Sequence, residues 1–293
     1  MTQGNIAPKY MIVSPVKDEQ KYLEATIQSV LSQSIRPAQW IIVDDGSQDG
    51  TSNILNEYCG KHDWIKVIRL NRGVHRQPGS AVIGAFNKGF ELIKDDDFEF
   101  IVKLDCDLRF GPDYFEKLLR KFENDSNLGI ASGIYLEDSG EGFMPVEMPE
   151  YHAAGASKVL RYQCFKEIGG FMSARGWDTI DEIRAQCCGW KTSHFREAEF
   201  YHLKKEGSGI GNIRTNTMHG EIYYLTGGSK FFFLFKLAHR LIFGTPFVLG
   251  GLMMFVGYLK PLLNGKALLV SDKEAQFYKK MLNKRIIGKL KMP

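Results

Sequence analysis

Four short apolar runs, at residues 10–14, 39–43, 65–70 and 98–104, recur along the first part of the chain with helix-length segments between them. Runs of this length, bounded by polar turns, read as buried strands. The segments at about 19–34, 50–60 and 80–94 read as helices; the first carries Tyr22, Thr26 and Val30 at helical spacing with Leu23, Ile27 and Leu31 alongside. Such alternation calls for an α/β fold, a mostly parallel sheet with helices on both faces. Sheets of this kind bind ligands outside the carboxyl ends of their strands. The polar segments 14–19, 44–46, 71–79 and 105–107 all fall at those ends, so one crevice can collect them. Further on, the pattern predicts a helix near 113–124, a strand near 128–135, a loop at 137–150, a helix at about 179–188 and a short strand near 198–202.

Asp105-Cys106-Asp107 follows the fourth run directly. Residues i and i+2 of a strand point to the same side, so both carboxylates aim at one spot and Cys106 points away. Two hard oxygen ligands there suit a Mg²⁺ or Mn²⁺ ion that also holds phosphate oxygens. The tripeptide alone arises by chance about once in a chain of this size; its place at a strand end singles it out. The chain has no G-x-x-x-x-G-K-[ST] and no G-x-G-x-x-G after its first strand, which excludes a P-loop and argues against a dinucleotide fold. Gly207, Gly209 and Gly211 form a G-x-G-x-G in a later loop, read as a mobile segment.

Three segments carry a resemblance. Val13-Ser14-Pro15-Val16-Lys17-Asp18-Glu19, Ile41-Ile42-Val43-Asp44-Asp45-Gly46-Ser47-Gln48-Asp49-Gly50-Thr51 and Lys103-Leu104-Asp105-Cys106-Asp107-Leu108 resemble, in order and spacing, family 2 glycosyltransferases of the GT-A fold. The likeness covers about residues 9–226. It implies a nucleotide-diphospho-sugar donor lined by Pro15, Lys17, Glu19, Asp44, Asp45 and Asp105, with Asp105, Asp107 and His202 around the metal. Carboxylates suit that task because they accept hydrogen bonds from base N–H groups and ribose hydroxyls. Read alone, Asp44-Asp45-Gly46-Ser47 is an ordinary turn. The family commonly has Asn where this chain has Asp18. Asn71-Arg72-Gly73 and 79–87 resemble the segment passing under the nucleotide, and Asn87-Lys88-Gly89 suggests a helix irregularity.

Trp177-Asp178-Thr179-Ile180-Asp181-Glu182-Ile183-Arg184, with Gly189 five residues on, resembles the family's acceptor-side motif and puts Asp178 on the catalytic aspartate. The family usually has Glu where this chain has Trp177. Asp178, Asp181 and Glu182 share one helix face, so Asp178 and Asp181 are the candidates for removing a proton from an attacking hydroxyl. The competing explanation is helix capping by Asp178, with acids favoured in a first turn. Arg214 and His219 are expected in a loop that closes over the diphosphate, where cations favour departure of the nucleotide. The implied reaction is an inverting sugar transfer to a hydroxyl of a glycan or lipid-linked acceptor. The alternatives are transfer to a polyprenyl phosphate, or a catalytically inactive nucleotide- or glycan-binding relic. A sugar-nucleotide pyrophosphorylase would need an early Gly-rich loop that 14–19 does not supply.

The remaining residues are of different material. Residues 227–293 hold 12 Lys and Arg against 2 acids, whereas 1–226 hold 26 against 32. Two domains follow: a catalytic domain at 1–226 and a basic, apolar helical tail at 227–293, of the kind found in the membrane-associated subset of the family. Residues 241–259 are nineteen without a charge, close to a bilayer span of about 20. Basic flanks on both sides, however, favour the cytoplasmic side. The expectation is therefore a re-entrant or interfacial pair of helices on an anionic membrane surface, with a buried helix as the competitor, and a basic amphipathic helix at 279–291. Nucleic acid is not expected, since the tail shows Phe231-Phe232-Phe233 rather than base-reading signatures. Five cysteines without a C-x-x-C, and no apolar run behind a basic start, place the protein in the cytoplasm at the inner membrane face.

Overall fold

The computed structural model describes residues 8–70, 80–94, 97–204 and 211–290, with side chains of 287–290 left aside. The chain divides into two compact units, Met1–Lys205 and Glu206–Pro293. This boundary lies earlier than the expected break after residue 226.

The first unit is built on one nine-stranded sheet. Its elements are β1 (Tyr10–Val16), α1 (Leu23–Leu31), β2 (Gln39–Asp44), α2 (Thr51–Lys61), β3 (Ile65–Arg69), α3 (Ser80–Phe90) and β4 (Phe100–Leu104). There follow β5 (Leu108–Phe110), α4 (Tyr114–Asn124), β6 (Leu128–Asp138), β7 (Phe143–Pro145), β8 (Ser157–Arg161), α5 (Tyr162–Glu167), α6 (Trp177–Cys187) and β9 (Lys191–His202). Strand order is β3-β2-β1-β4-β8-β6-β9-β5, with β7 paired to β6. The four strands from β3 to β4 are parallel. β8 is antiparallel to both β4 and β6, and β9 returns parallel to β6. The sheet is therefore mixed, and the GT-A-like α/β architecture stands.

Strand alternation divides the core. Tyr10 and Ile12 of β1 and Trp40 and Ile42 of β2 face one layer with Leu23 and Ile27 of α1 and Phe115 and Leu118 of α4. Met11, Val13, Ile41 and Val43 face the other, with Phe86 of α3, Phe165 of α5 and Trp177 of α6. A run buried on both sides has no polar alternation, which is why these strands read as continuous apolar stretches.

Three differences from the sequence reading matter. The loop at 137–150 contains a hairpin, because β6 runs on to Asp138 and pairs with β7. The strand near 198–202 is the end of twelve-residue β9. α3 continues as regular helix through Asn87, Lys88 and Gly89 to Phe90.

The second unit comprises α7 (Asn212–Leu225), α8 (Lys230–Phe243), α9 (Leu249–Leu263) and α10 (Asp272–Leu290). α7 and α9 cross at backbone contact: a Cβ on Gly220 would lie 1.9 Å from the Met254 carbonyl oxygen, and one on Gly257 1.9 Å from that of Thr217. Glycine is what permits this approach. α9 thus buries Gly250, Met254, Gly257 and Tyr258 while Leu252, Phe255, Val256 and Leu263 stay exposed. No helix among the described residues is long and apolar enough to cross a membrane. α10 includes the expected basic helix, with Tyr278, Leu282 and Ile286 buried along one stripe.

Candidate active site

The carboxyl ends of β1, β2 and β4 lie side by side, since β1 pairs with both other strands. Two loops leaving them are laced together. The Asp18 amide donates to Ser47 Oγ at 3.0 Å, and the Gln48 amide donates to Asp18 Oδ1 at 2.7 Å. Next to these, the Glu19 amide donates to Thr51 Oγ1 and the Gln20 amide to Asp49 Oδ2. Asp18 itself adopts φ +53°, a conformation Asp tolerates better than most residues. Pro15 is buried at the end of β1, and Lys17 follows half-buried.

Asp44 is tied into the turn. Its side chain is buried, Oδ1 accepts from the Ser47 amide at 2.8 Å and Oδ2 from Ser52 Oγ at 2.7 Å. Both oxygens hold the turn, and Asp45 follows buried at its start. Glu19 is buried too, and Lys204 Nζ donates to its Oε1 at 2.6 Å.

At the end of β4, Cys106 turns into the core, where burial raises its thiol well above the ordinary range. Asp105 Oδ1 accepts from Lys103 Nζ at 2.6 Å, while its side chain remains 30% exposed. Burial raises the Asp105 carboxyl above the usual range; Lys103 pulls it down and Asp107 pushes it further up. His202 is placed by two ladders: β5–β9 sets it opposite Leu108, and β6–β9 opposite Glu137. Its Nε2 lies 3.5 Å from Asp107 Oδ2 and its Nδ1 3.4 Å from Glu137 Oε1. Burial alone would depress the imidazole, but Asp107 and Glu137 outweigh it and hold its pKa at about 10.

No three His, Cys, Asp or Glu side chains among the described residues converge as a ready cage for a metal. Asp107 Oδ1 is nevertheless buried without a hydrogen-bond partner, an arrangement that leaves a hard acceptor for a cation. One or two carboxylates with substrate phosphates are the usual Mg²⁺ set. Asp107, with Asp105 beside it, fits such an ion, and His202 would join them only by giving up the proton that Asp107 and Glu137 hold on it.

Helix α6 begins after Gly176, whose left-handed backbone (φ 76°) is the cap, so Asp178 is not the N-cap residue. Asp178 is half-buried, and its Oδ1 accepts from its neighbour, the Thr179 amide, at 3.1 Å. Asp181 is enclosed. Its side chain is 1% exposed, and both oxygens accept from Lys158 Nζ, at 3.0 and 3.1 Å. Burial pushes its pKa up to about 8 despite Lys158, because Glu182 shares the same ammonium. Of the two candidate bases, Asp178 is thus the more accessible and Asp181 the enclosed one.

Glu182 Oε1 accepts from the Ala153 amide at 2.7 Å and Oε2 faces His152 Nδ1 at 3.0 Å. Sequence reasoning missed Lys103, Glu137, His152 and Lys158. The one available signal was a lysine inside each of two apolar strands. Arg214 and His219, expected in a loop, lie on α7 of the second unit, with Arg214 exposed. The stripe that α7 buries includes Asn216 and Gly220, so it has no apolar periodicity to read. The segments containing Arg72, Gly207 and Gly209 lie outside the described residues.

Comparison with known proteins bears on the family and the fold. The family model described as Glycosyl transferase family 2 matches residues 11–175, ending just before α6. Poly-beta-1,6-N-acetyl-D-glucosamine synthase of Staphylococcus epidermidis is 30% identical over 117 residues, 40% of this chain and 26% of that protein. Chondroitin synthase of Escherichia coli is 31% identical over 122 residues, 41% of this chain and 16% of that one. The chain spans well under half the length of the curated relatives it matches. Among solved structures, the mannosyltransferase PcManGT from Pyrobaculum calidifontis, in complex with GDP-Man and Mn²⁺, aligns with a TM-score of 0.58 at 13% identity, covering 98% of this chain and 87% of the other. That likeness speaks for the fold. With more than half of its length matched by the family model, the chain belongs to glycosyl transferase family 2.

Proposed function

We propose that this chain is an inverting glycosyltransferase that moves a sugar from a nucleotide-diphospho-sugar to an acceptor hydroxyl in the synthesis of a surface polysaccharide or glycolipid. The observation that carries the reading is that one unit holds the laced β1/β2 turns with Asp45, the Asp107–His202 pair, and the half-exposed Asp178 on α6. Glu19 and Asp45 would line the nucleotide, and Asp105 and Asp107 with His202 would hold Mg²⁺ or Mn²⁺. Bound there, the cation would supply Lewis-acid neutralisation of the diphosphate.

Asp178 would take the proton of the acceptor hydroxyl. The new bond joins that oxygen to the anomeric carbon, the old bond to the diphosphate breaks on the opposite face, and configuration inverts. Support for the donor class comes from the PcManGT complex with GDP-Man and Mn²⁺, and support for a polysaccharide product from the two synthases above. The tail would lie on the inner face of the cell membrane. The support is the exposure of Phe243, Phe247 and Leu249 in a unit whose helix α8 also carries Lys236 and Arg240, an interfacial pattern rather than a spanning one.

Asp178→Asn tests the chemistry. Donor turnover should fall by about 10²–10⁴-fold while binding of UDP or GDP with Mn²⁺ is kept. Undiminished turnover in the folded variant would remove Asp178 from the role of base.

A further inference from the structure

Lys103 and Lys158 are direct partners in the antiparallel β4–β8 ladder, so their side chains leave the same face of the sheet as neighbours. Both are buried, at 2% and 0% exposure. Like charges directly opposed destabilise a sheet, and a buried ammonium is costly unless paired. Each lysine has its own partners here. Lys103 Nζ donates to Asp105 Oδ1 at 2.6 Å and to the Gly155 carbonyl at 2.8 Å. Lys158 Nζ donates to the Asp178 carbonyl at 2.9 Å, to both oxygens of Asp181, and to Glu182 Oε1 at 3.3 Å.

Between these two sets lies one ring. The Trp177 indole centre is 5.2 Å from Lys103 Nζ and 5.2 Å from Lys158 Nζ, both within cation–π reach. One ammonium is tied to the donor-side Asp105, the other to the backbone of Asp178. Gly155 closes the arrangement: a Cβ there would lie 3.2 Å from Trp177 Cζ2 and 3.5 Å from Asp178 Cβ. The residue that anchors Lys103 therefore packs directly on the residue bearing the candidate base.

We propose that Lys103, Trp177 and Lys158 are a positioning set that fixes Asp178 relative to Asp105, with the Trp177 indole as the shared spacer. This rests on the glycosyltransferase reading. All three side chains are buried and act through Asp105, Gly155 and the first two turns of α6. Shortening the ring withdraws its face from both ammoniums, and α6 loses its fixed distance from β4. A displacement of about 1 Å at reacting groups can cost about 10²-fold in rate.

The test uses the full chain with Trp177→Leu and Trp177→Phe. UDP and GDP are titrated with Mn²⁺, and UDP-N-acetylglucosamine and GDP-mannose are assayed for nucleotide release. For Trp177→Leu the expected result is nucleotide affinity within about threefold of wild type and kcat lower by about tenfold or more, with partial recovery in Trp177→Phe. A folded Trp177→Leu with unchanged kcat overturns the proposal, as does loss of nucleotide affinity in step with kcat. If Trp177→Leu does not fold, Trp177→Phe is judged on the same split: lowered kcat at unchanged affinity supports, unchanged kcat overturns. Failure of the glycosyltransferase reading is seen separately, in a wild type that binds neither nucleotide and turns over neither donor, and it takes this proposal with it.

Discussion

Asp107 and His202 face each other across 3.5 Å, brought together from the end of β4 and the end of β9 by the β5–β9 ladder. Asp107 Oδ1 has no hydrogen-bond partner in this arrangement. Asp107→Asn keeps the shape and removes the charge that would hold a divalent ion. The expected outcome is loss of the Mn²⁺-dependent rise in melting temperature with UDP or GDP, read against the variant's own melting temperature without ligand, which falls as the pairing with His202 is lost. A binding-competent state stabilised only when loaded gives such a rise by mass action.

The Asp18 clamp makes a second prediction. Asp18→Asn keeps an acceptor for the Gln48 amide and a residue type suited to φ +53°. It should cost little. Asp18→Ala loses the acceptor at a left-handed position and should cost about 1–2 kcal/mol. Urea unfolding of the two variants side by side measures the difference.

His152 provides a pH dependence. Burial by itself would lower the imidazole, yet Glu182 at 3.0 Å outweighs it and the pKa is raised. A raised histidine stabilises the folded chain fully below its unfolded value of about 6.5, and this contribution is lost as pH rises through the folded value. His152→Gln should therefore be destabilised more at pH 6 than at pH 9. The gap at pH 6 should be about 1.5–3 kcal/mol, the worth of a hydrogen bond to a charged group. Equal gaps at both pH values would contradict the pairing with Glu182.

In the second unit, Phe243 is 73% and Phe247 72% exposed. Burying such a ring at a membrane interface gains about 1.5–3 kcal/mol. Replacing both by Ser should reduce cosedimentation with phosphatidylglycerol-containing vesicles by about tenfold or more without altering the helical circular dichroism. Wild-type chain that binds these no better than phosphatidylcholine vesicles would rule out an anionic surface as the partner.

The α/β order, β1 to β4, and α1 to α4 were legible because each is a short-range pattern: an apolar run buried on both faces, or a stripe at helical spacing. Asp105 and Asp107 were legible because a strand end and an i, i+2 spacing are also local. The parts that escaped are those whose reason lies across the sheet. β8 is short and carries Lys158, and only pairing with β4 explains a lysine there. α7 buries Asn216 and Gly220, which make sense only against α9.

What the amino-acid order determined by itself is the set of elements and the end of the sheet where polar residues gather, because backbone propensity and hydrophobic period act over a few neighbours. Which acids remain accessible was decided by tertiary structure alone. Asp178, Asp181 and Glu182 share one helix face, and the reach of Lys158 from another strand encloses two of them and leaves the first half-exposed. Burial and charge pairing depend on what distant segments bring to a side chain, and no local pattern records that.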